Sequence, residues 1–207
     1  MSDLNGDRGR PQYVAFRGPS SGLRERSPPM LQFLVFDDTG PAREFTLNGA
    51  HMLGRDDVAH RGDISFRDGR IRCRPRSSDP VALCVQVDAG AMGRLMLQTA
   101  LLPPREEPYV LTLELARQRI KQFIFKSEEW QMFELSADHP AMRLWERARE
   151  LFTLAVNERD PIAADRAAQA SLVSAIDASE RLAMAHSEVL LHKRFGVRAA
   201  SSTTFGV

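Results

Sequence analysis

Cysteine is scarce in this sequence, and so are aromatic rings and runs of apolar residues. Two cysteines in 207 residues, Cys73 and Cys84, are too few to staple a secreted scaffold, so a reducing compartment is the expectation. No apolar run approaches the roughly 20 residues of a membrane-spanning helix. The first thirty residues carry no apolar segment of the secretion-signal kind. These features predict a soluble, cytoplasmic chain with no membrane partner. A charge surplus is missing as well, with 28 Lys and Arg against 27 Asp and Glu. Proteins that bind nucleic acid usually show a basic excess or a clustered basic stripe. Neither is found in the body of the chain, and no nucleic-acid partner is expected. There is no glycine-rich phosphate loop, no Gly-x-Ser-x-Gly elbow and no Cys-x-x-Cys pair.

The composition, 43% hydrophobic and 27% charged, is that of a globular protein. The length suits one large domain, or a medium one with an appendage. Residues 1–29 are rich in Gly, Arg, Ser, Pro and Asp and have no period. They cannot bury enough apolar surface to offset their ordering entropy, which predicts a disordered extension. Met30 opens the first patterned segment and is a candidate initiator.

From Met30 to about Leu102 the signals are those of strands. Leu31 to Phe36 is a short apolar run stopped by the turn cluster Asp37 to Pro41. Glu44 to Leu47 and His51 to Leu53 flank the hairpin dipeptide Asn48-Gly49. Asp63 to Phe66 alternates, and Asp68-Gly69 turns into Arg70 to Arg74, where Ile71 and Cys73 face in and the arginines face out. Two more turn clusters, Ser77 to Pro80 and Gly90 to Gly93, separate Val81 to Val87 from Leu95 to Leu101. Short strands and tight turns at this density suggest an antiparallel sandwich or a partly open barrel, jelly-roll-like.

Pro103-Pro104 closes that region, and after Tyr109 the period lengthens. Leu111, Leu115, Ile120, Phe123 and Ile124 share one helical face, with Glu114, Arg117 and Lys121 opposite. Asp138-His139-Pro140 and Asp160-Pro161 are start signals for two more helices. The second of these is Ala-rich, reaches about Lys193 and carries Leu172, Ile176, Leu182, Val189 and Leu190. The expected fold class is therefore α+β: the antiparallel sandwich or open barrel, followed by three α-helices. The expected organisation is an extension over 1–29, a β domain over 30–104, a helical segment packed on it over 105–194, and a linker over 195–207.

Each candidate for chemistry has a plainer explanation. Asp38-Thr39-Gly40 after an apolar run has the look of an aspartic-protease loop, with Gly54 in the later glycine segment. That chemistry needs two carboxylates sharing a proton, and Asp38 and Gly54 stand too close in sequence for the intervening strands. The carboxylate pairs Asp56-Asp57, Glu106-Glu107 and Glu128-Glu129 read as solvated charge. A glycosidase needs two carboxyls held across a cleft. His51, His60, His139, His186 and His192 include no helical i, i+4 pair, so no metal site is expected. Cys73 and Cys84 fall symmetrically about Ser77 to Pro80 and could be cross-strand neighbours, as a redox pair or as two buried thiols. Sugar modules stack rings on Trp or Tyr, and the β region has neither. Trp130 with Tyr109 is the one candidate stacking surface, and Trp145 lies on an apolar helical stripe. No catalytic residue, metal ligand or cofactor is assigned, and substrate-binding residues stay unknown.

Several stretches taken together resemble a known family. They are Met30 to Asp38, Gly40 to Arg43, Arg61 to Ile64, Leu97 to Thr99 with Leu101 to Pro103, Tyr109 to Arg117, and Ser174 to Glu180. The likeness covers about 30–207 and is to the N-terminal region of bacterial proteins assigned to glycoside hydrolase family 10, the endo-1,4-β-xylanase family. The resemblance implies a retaining parent enzyme whose two glutamates sit on a (β/α)8 barrel. It also implies a non-catalytic role for this region in front of that barrel. Phe205-Gly206-Val207 resembles the first barrel strand, so no catalytic glutamate can be placed on any position here. The implied partners are the barrel, in a longer chain, and a β-1,4-linked polysaccharide. Members of the family are usually exported, and here no export signal is visible. A stand-alone carbohydrate- or protein-binding module is the alternative.

Overall fold

A computed structural model describes residues 30–195. The expected N-terminal extension and the Phe205 to Val207 strand lie outside the described residues. The fold is α+β, with two four-stranded sheets, a small hairpin and three helices.

The first sheet runs in the order β10 (Tyr109–Val110), β1 (Leu31–Leu34), β7 (Arg70–Pro75), β6 (Gly62–Arg67). The second runs β5 (Ala59–His60), β4 (His51–Leu53), β8 (Ala82–Asp88), β9 (Arg94–Gln98). A two-stranded hairpin, β2 (Phe36–Asp37) and β3 (Gly40–Pro41), leaves the end of the first sheet. All pairings are antiparallel except β1 with β10, which is parallel. Alternation aims Leu31, Phe33, Ile71 and Cys73 from one sheet, and Met52, Leu83, Val85 and Leu97 from the other, into one apolar core. No closed barrel forms.

The β6–β7 turn follows its sequence signal. Asp68 and Gly69 both have positive φ, 53° and 69°, the geometry of the primed hairpin turn that matches strand twist. The Asn48-Gly49 expectation holds only in part. Gly49 turns the chain at φ 69°, but Glu44 to Leu47 is irregular and pairs with nothing. Ser77 to Pro80 is not a hairpin either. It carries the chain from β7 in one sheet to β8 in the other. Cys73 therefore lies between Leu31 and Ile64, and Cys84 between His51 and Gln98. The expected cross-strand cysteine pair does not exist, and both are free buried thiols.

The helices are α1 (Leu111–Glu129), α2 (Pro140–Asn157) and α3 (Pro161–Phe195). The start signals act as read, with one shift of a residue. His139, not Asp138, is the N-cap of α2, its Nδ1 accepting from the Ala141 amide at 3.2 Å, and Pro140 fills the first helical position. Asp160 caps α3 by accepting from the Ala163 amide at 2.9 Å. Small residues set the α2–α3 contact. Ala141, Ala148 and Ala155 recur every seven residues and are buried, letting two backbones approach closely. Ser171 and Ser174 donate from Oγ to the carbonyls of Ala148 (2.7 Å) and Leu144 (2.9 Å). Partners that retreat along α2 as α3 advances make these helices antiparallel.

Leu111, Leu115 and Ala116 of α1, with Leu172 and Ile176 of α3, join the same core cluster as the sheets. A second cluster, with Phe123, Met132, Ala141, Ala178 and Leu182, fills the far half of the helical layer. Two residues of α1 depart from the sequence reading. Glu114, expected on the polar face, is 4% exposed and is met by Arg117 Nε at 3.0 Å. Ile124, expected inside, is exposed.

Candidate functional groove

Where the β2–β3 hairpin meets the helices, a groove of about 1160 Å³ opens. Its floor is Val35, Ala42 and Leu111, and its walls are the hairpin, the β8 and β9 ends, and the flanks of α2 and α3. The hairpin is locked by Asp37. Its Oδ1 accepts from Thr39 N (2.8 Å), Thr39 Oγ1 (2.7 Å) and Gly40 N (3.1 Å), an Asx turn built by a short carboxylate. The Thr39 hydroxyl, then the amides, hold the Asp37 carboxyl below its ordinary range. Two bonds tie the walls together. Arg166 Nη2 donates to the Asp38 carbonyl at 3.2 Å, and Gln169 Nε2 to the Asp88 carbonyl at 2.8 Å.

One wall comes from α3, where Asp165, Gln169, Val173 and Asp177 recur every fourth residue and so share a helix face. Asp165 stands apart in this row. Its Oδ1 is buried with no hydrogen-bond partner among the described residues. Burial raises its pKa above the ordinary 3.8, and the Thr112 hydroxyl opposes that shift. Such a carboxyl either accepts from a hydroxyl or amine brought by a ligand, or takes up a proton and donates. The sequence reading missed Asp165. In the sequence, Asp165, Gln169 and Asp177 mark only a polar face of an otherwise Ala-rich helix, not a site.

Of the residues weighed from sequence, His51 and His60 line one small cleft beside β4 and β5, and the rest form no common site. Asp38 is exposed, and the aspartate held by the turn is its neighbour Asp37. Gly54 closes a turn beyond β4, donating to the Val58 carbonyl at 2.9 Å. Asp56, Asp57, Glu106, Glu107, Glu128 and Glu129 are exposed, and Glu129 takes Lys126 Nζ at 2.6 Å. His186 stacks on Trp130 at 4.7 Å between centroids. Tyr109 is buried at the other end of α1, beneath Arg105 (3.5 Å) and donating to the Pro103 carbonyl at 3.0 Å. Trp130 and Tyr109 thus form no joint sugar platform. Trp145 stacks on Phe123 at 5.5 Å in the second core. Among the described residues no three His, Cys, Asp or Glu side chains could hold a metal ion, and no helix is long and apolar enough to cross a membrane.

A second surface lies at the far end of α3. The Trp130–His186 stack is the last place where α1 covers it. Beyond that stack α3 continues for nine residues, roughly 13 Å at the helical rise. Val189, Leu190, Leu191 and Phe195 are exposed there, and Met184 just before. Comparison of the chain with protein-family models, curated proteins and solved structures finds no match.

Proposed function

We propose that this chain is the non-catalytic front part of a larger glycoside hydrolase, of the family 10 xylanase-like kind. In this reading it docks a barrel that cleaves β-1,4-linked polysaccharide. The observation that carries the docking role is the apolar end of α3. A helix end in water gains nothing from Val189, Leu190, Leu191 and Phe195, each between 39% and 55% exposed. Leu191 and Phe195, four residues apart, share one face of α3, with Val189 and Leu190 on its flanks, and a partner that wraps the helix end would bury them. The family assignment draws on the residue runs from Met30 to Glu180 quoted above.

The test has two parts. The reading frame beyond the Val207 codon should encode a (β/α)8 barrel with two strand-end glutamates, and that barrel should bind purified 1–207. Leu190→Glu with Leu191→Glu should abolish the binding. Xylan turnover by 1–207 alone, or barrel binding unchanged by the double variant, would sink the proposal. The alternative, a stand-alone carbohydrate- or protein-binding module, is favoured by the groove and by the unpartnered Asp165 oxygen in its wall. It expects Asp165→Asn to weaken ligand binding while the α3 variants leave it unchanged.

A further inference from the structure

The outer face of the first sheet carries a feature that charge totals conceal. Strand alternation sends Ile71, Cys73 and Pro75 of β7 inward and Arg70, Arg72 and Arg74 outward. Same-face residues on a strand are about 6.6–7 Å apart, so these three guanidinium stems span roughly 13 Å in one row. On the neighbouring β6, Asp63, Ser65 and Arg67 face the same way, in register with Arg74, Arg72 and Arg70. The row continues at the strand ends into Arg61 and Arg76, both exposed and joined by a backbone hydrogen bond of 3.2 Å. Six arginines thus meet two aspartates, Asp63 and Asp68, and Asp68 is taken by Arg67 at 3.4 Å. Among the described residues, Arg61, Arg70, Arg72, Arg74 and Arg76 have no ion pair.

Like charges placed side by side destabilise a sheet. Arg67, held by Asp68, lies directly opposite Arg70, and Arg70, Arg72 and Arg74 repeat along one row, so an anion bound across them would relieve that repulsion. We infer that this face binds an acidic polysaccharide through its uronate carboxylates. Guanidinium forks match carboxylates in a two-point geometry. An open row of outward residues along a strand suits an extended polymer. Gln32 on β1 and Ser65 on β6, on the same face, can hydrogen-bond to sugar hydroxyls, and Leu34, opposite Arg70, adds an apolar spot beside them. Single-stranded nucleic acid fits less well. Such binding draws on base stacking as well as charge, whereas uronate recognition on this face needs only the guanidinium–carboxylate contacts, since aromatic platforms for bases or for sugar rings are absent from its outward residues. The choice of a polysaccharide over other carboxylate polymers rests on the glycan-directed reading above. The arginine face itself shares no residue with the α3 docking end.

Affinity electrophoresis of purified 1–207 tests the inference. The gels would contain glucuronoxylan, the same polymer after carboxyl reduction, or polyuridylate. We expect retardation by glucuronoxylan that is lost on carboxyl reduction and falls as salt rises from about 50 to 500 mM. Arg70→Gln with Arg72→Gln and Arg74→Gln should weaken binding at least about tenfold, a change of 1.4 kcal/mol. Arg67→Gln with Arg74→Gln, both exposed, provides a variant with little risk to folding and should weaken it in the same direction. Asp63→Asn removes the one free carboxylate of the face and should tighten it. Equal retardation by the carboxyl-reduced polymer, stronger retardation by polyuridylate, or indifference to the double arginine variant would overturn the inference. Because barrel binding is read separately through Leu190 and Leu191, either proposal can fail while the other stands.

Discussion

Leu172 and Leu190 sit on the same helix and should respond very differently to truncation. Leu172 is 0% exposed and belongs to the core that also contains both sheets and α1. Leu→Ala at such sites costs about 2.7–5.0 kcal/mol, more where the surroundings cannot collapse. Packed between α1 and two sheets, Leu172 should fall in the middle of that range, about 3–4 kcal/mol. For a chain of this size, 1 kcal/mol lowers Tm by about 2–4 °C, so Leu172→Ala should lower it by roughly 10 °C. Leu190 is 51% exposed, and Leu190→Ala should stay within about 0.5 kcal/mol, or roughly 2 °C. Thermal melts followed by far-UV circular dichroism, and separately by near-UV signal, give both shifts. A shared core further requires that Leu172→Ala move both signals together in one transition. Equal losses for the two leucines would mean that the α3 end is already packed within the chain. A residual sheet signal surviving after helix loss would mean that the sheets do not depend on α3. Either result would refute the reasoning.

Other expectations follow from single residues. Gly69 has φ 69°, and a Cβ there would lie 2.7 Å from the Pro41 Cβ, so Gly69→Ala should cost about 1–3 kcal/mol by urea denaturation. Unchanged stability would refute the turn geometry. Burial pushes the Cys73 thiol from its ordinary 9.0 up to about 12, and burial also raises Cys84. Ellman's reagent at pH 8 should therefore label neither at an appreciable rate until denaturant is added. For Cys73 the unfolded chain loses its thiol proton first, so stability should fall as pH rises above 9, and Cys73→Ser should lessen that slope, leaving the part that Cys84 contributes. Asp165 has its pKa raised by burial, so the folded state holds its proton more tightly and stability falls as pH rises past 3.8. Asp165→Asn should stabilise at pH 7 and bring no gain at pH 3, and equal effects at both would count against the buried carboxylate.

The sequence was most readable where one local rule acts alone. Asp68-Gly69, Pro140 and Asp160-Pro161 did what their chemistry demands, because caps and tight turns are decided within four residues. The strict alternation of Arg70 to Pro75 gave both the strand and its two faces. The failures share a cause, which is tertiary partners. Ser77 to Pro80 has turn residues, but whether such a segment returns the chain to the same sheet or sends it across depends on which sheet can cover Ile71 and Val85. Glu44 to Leu47 has the alternation of a strand and finds no neighbour to pair with. Tyr109 and Val110, where the period changes, join β1 as a parallel edge strand, a pairing with Phe33 and Leu34 that no local pattern signals. Asp165 was invisible as a site because its meaning comes from Thr112 and from the hairpin across the groove. The arginine row was visible residue by residue, but counting charges over the whole chain averaged it against acids that lie elsewhere.

The two proposed surfaces are mechanically connected, and that connection bears on what the domain could accomplish. The arginine face is the outer side of a sheet whose inner residues, Leu31, Phe33, Ile71 and Cys73, pack in one cluster with Leu172 and Ile176 of α3. Ile176 and Phe195 lie on one unbroken helix, about 28 Å apart at the helical rise. A polymer held on the sheet and a barrel held on the helix end would therefore keep a fixed relative geometry, with no flexible joint among residues 161–195. Fixed geometry raises the effective concentration of polymer at the barrel only if its cleft faces the sheet side. Kinks inserted in α3 distinguish this from mere tethering. Ser187→Pro would clash with the Ala183 carbonyl and bend α3 beside Ala185 of the second core, so a thermal melt first checks that the variant stays folded. The variant should spare binding at the arginine face and reduce barrel turnover on acidic polymer, with turnover on a short neutral oligosaccharide unchanged. If both turnovers fall together, α3 supports the barrel itself. If neither falls, the two surfaces act independently.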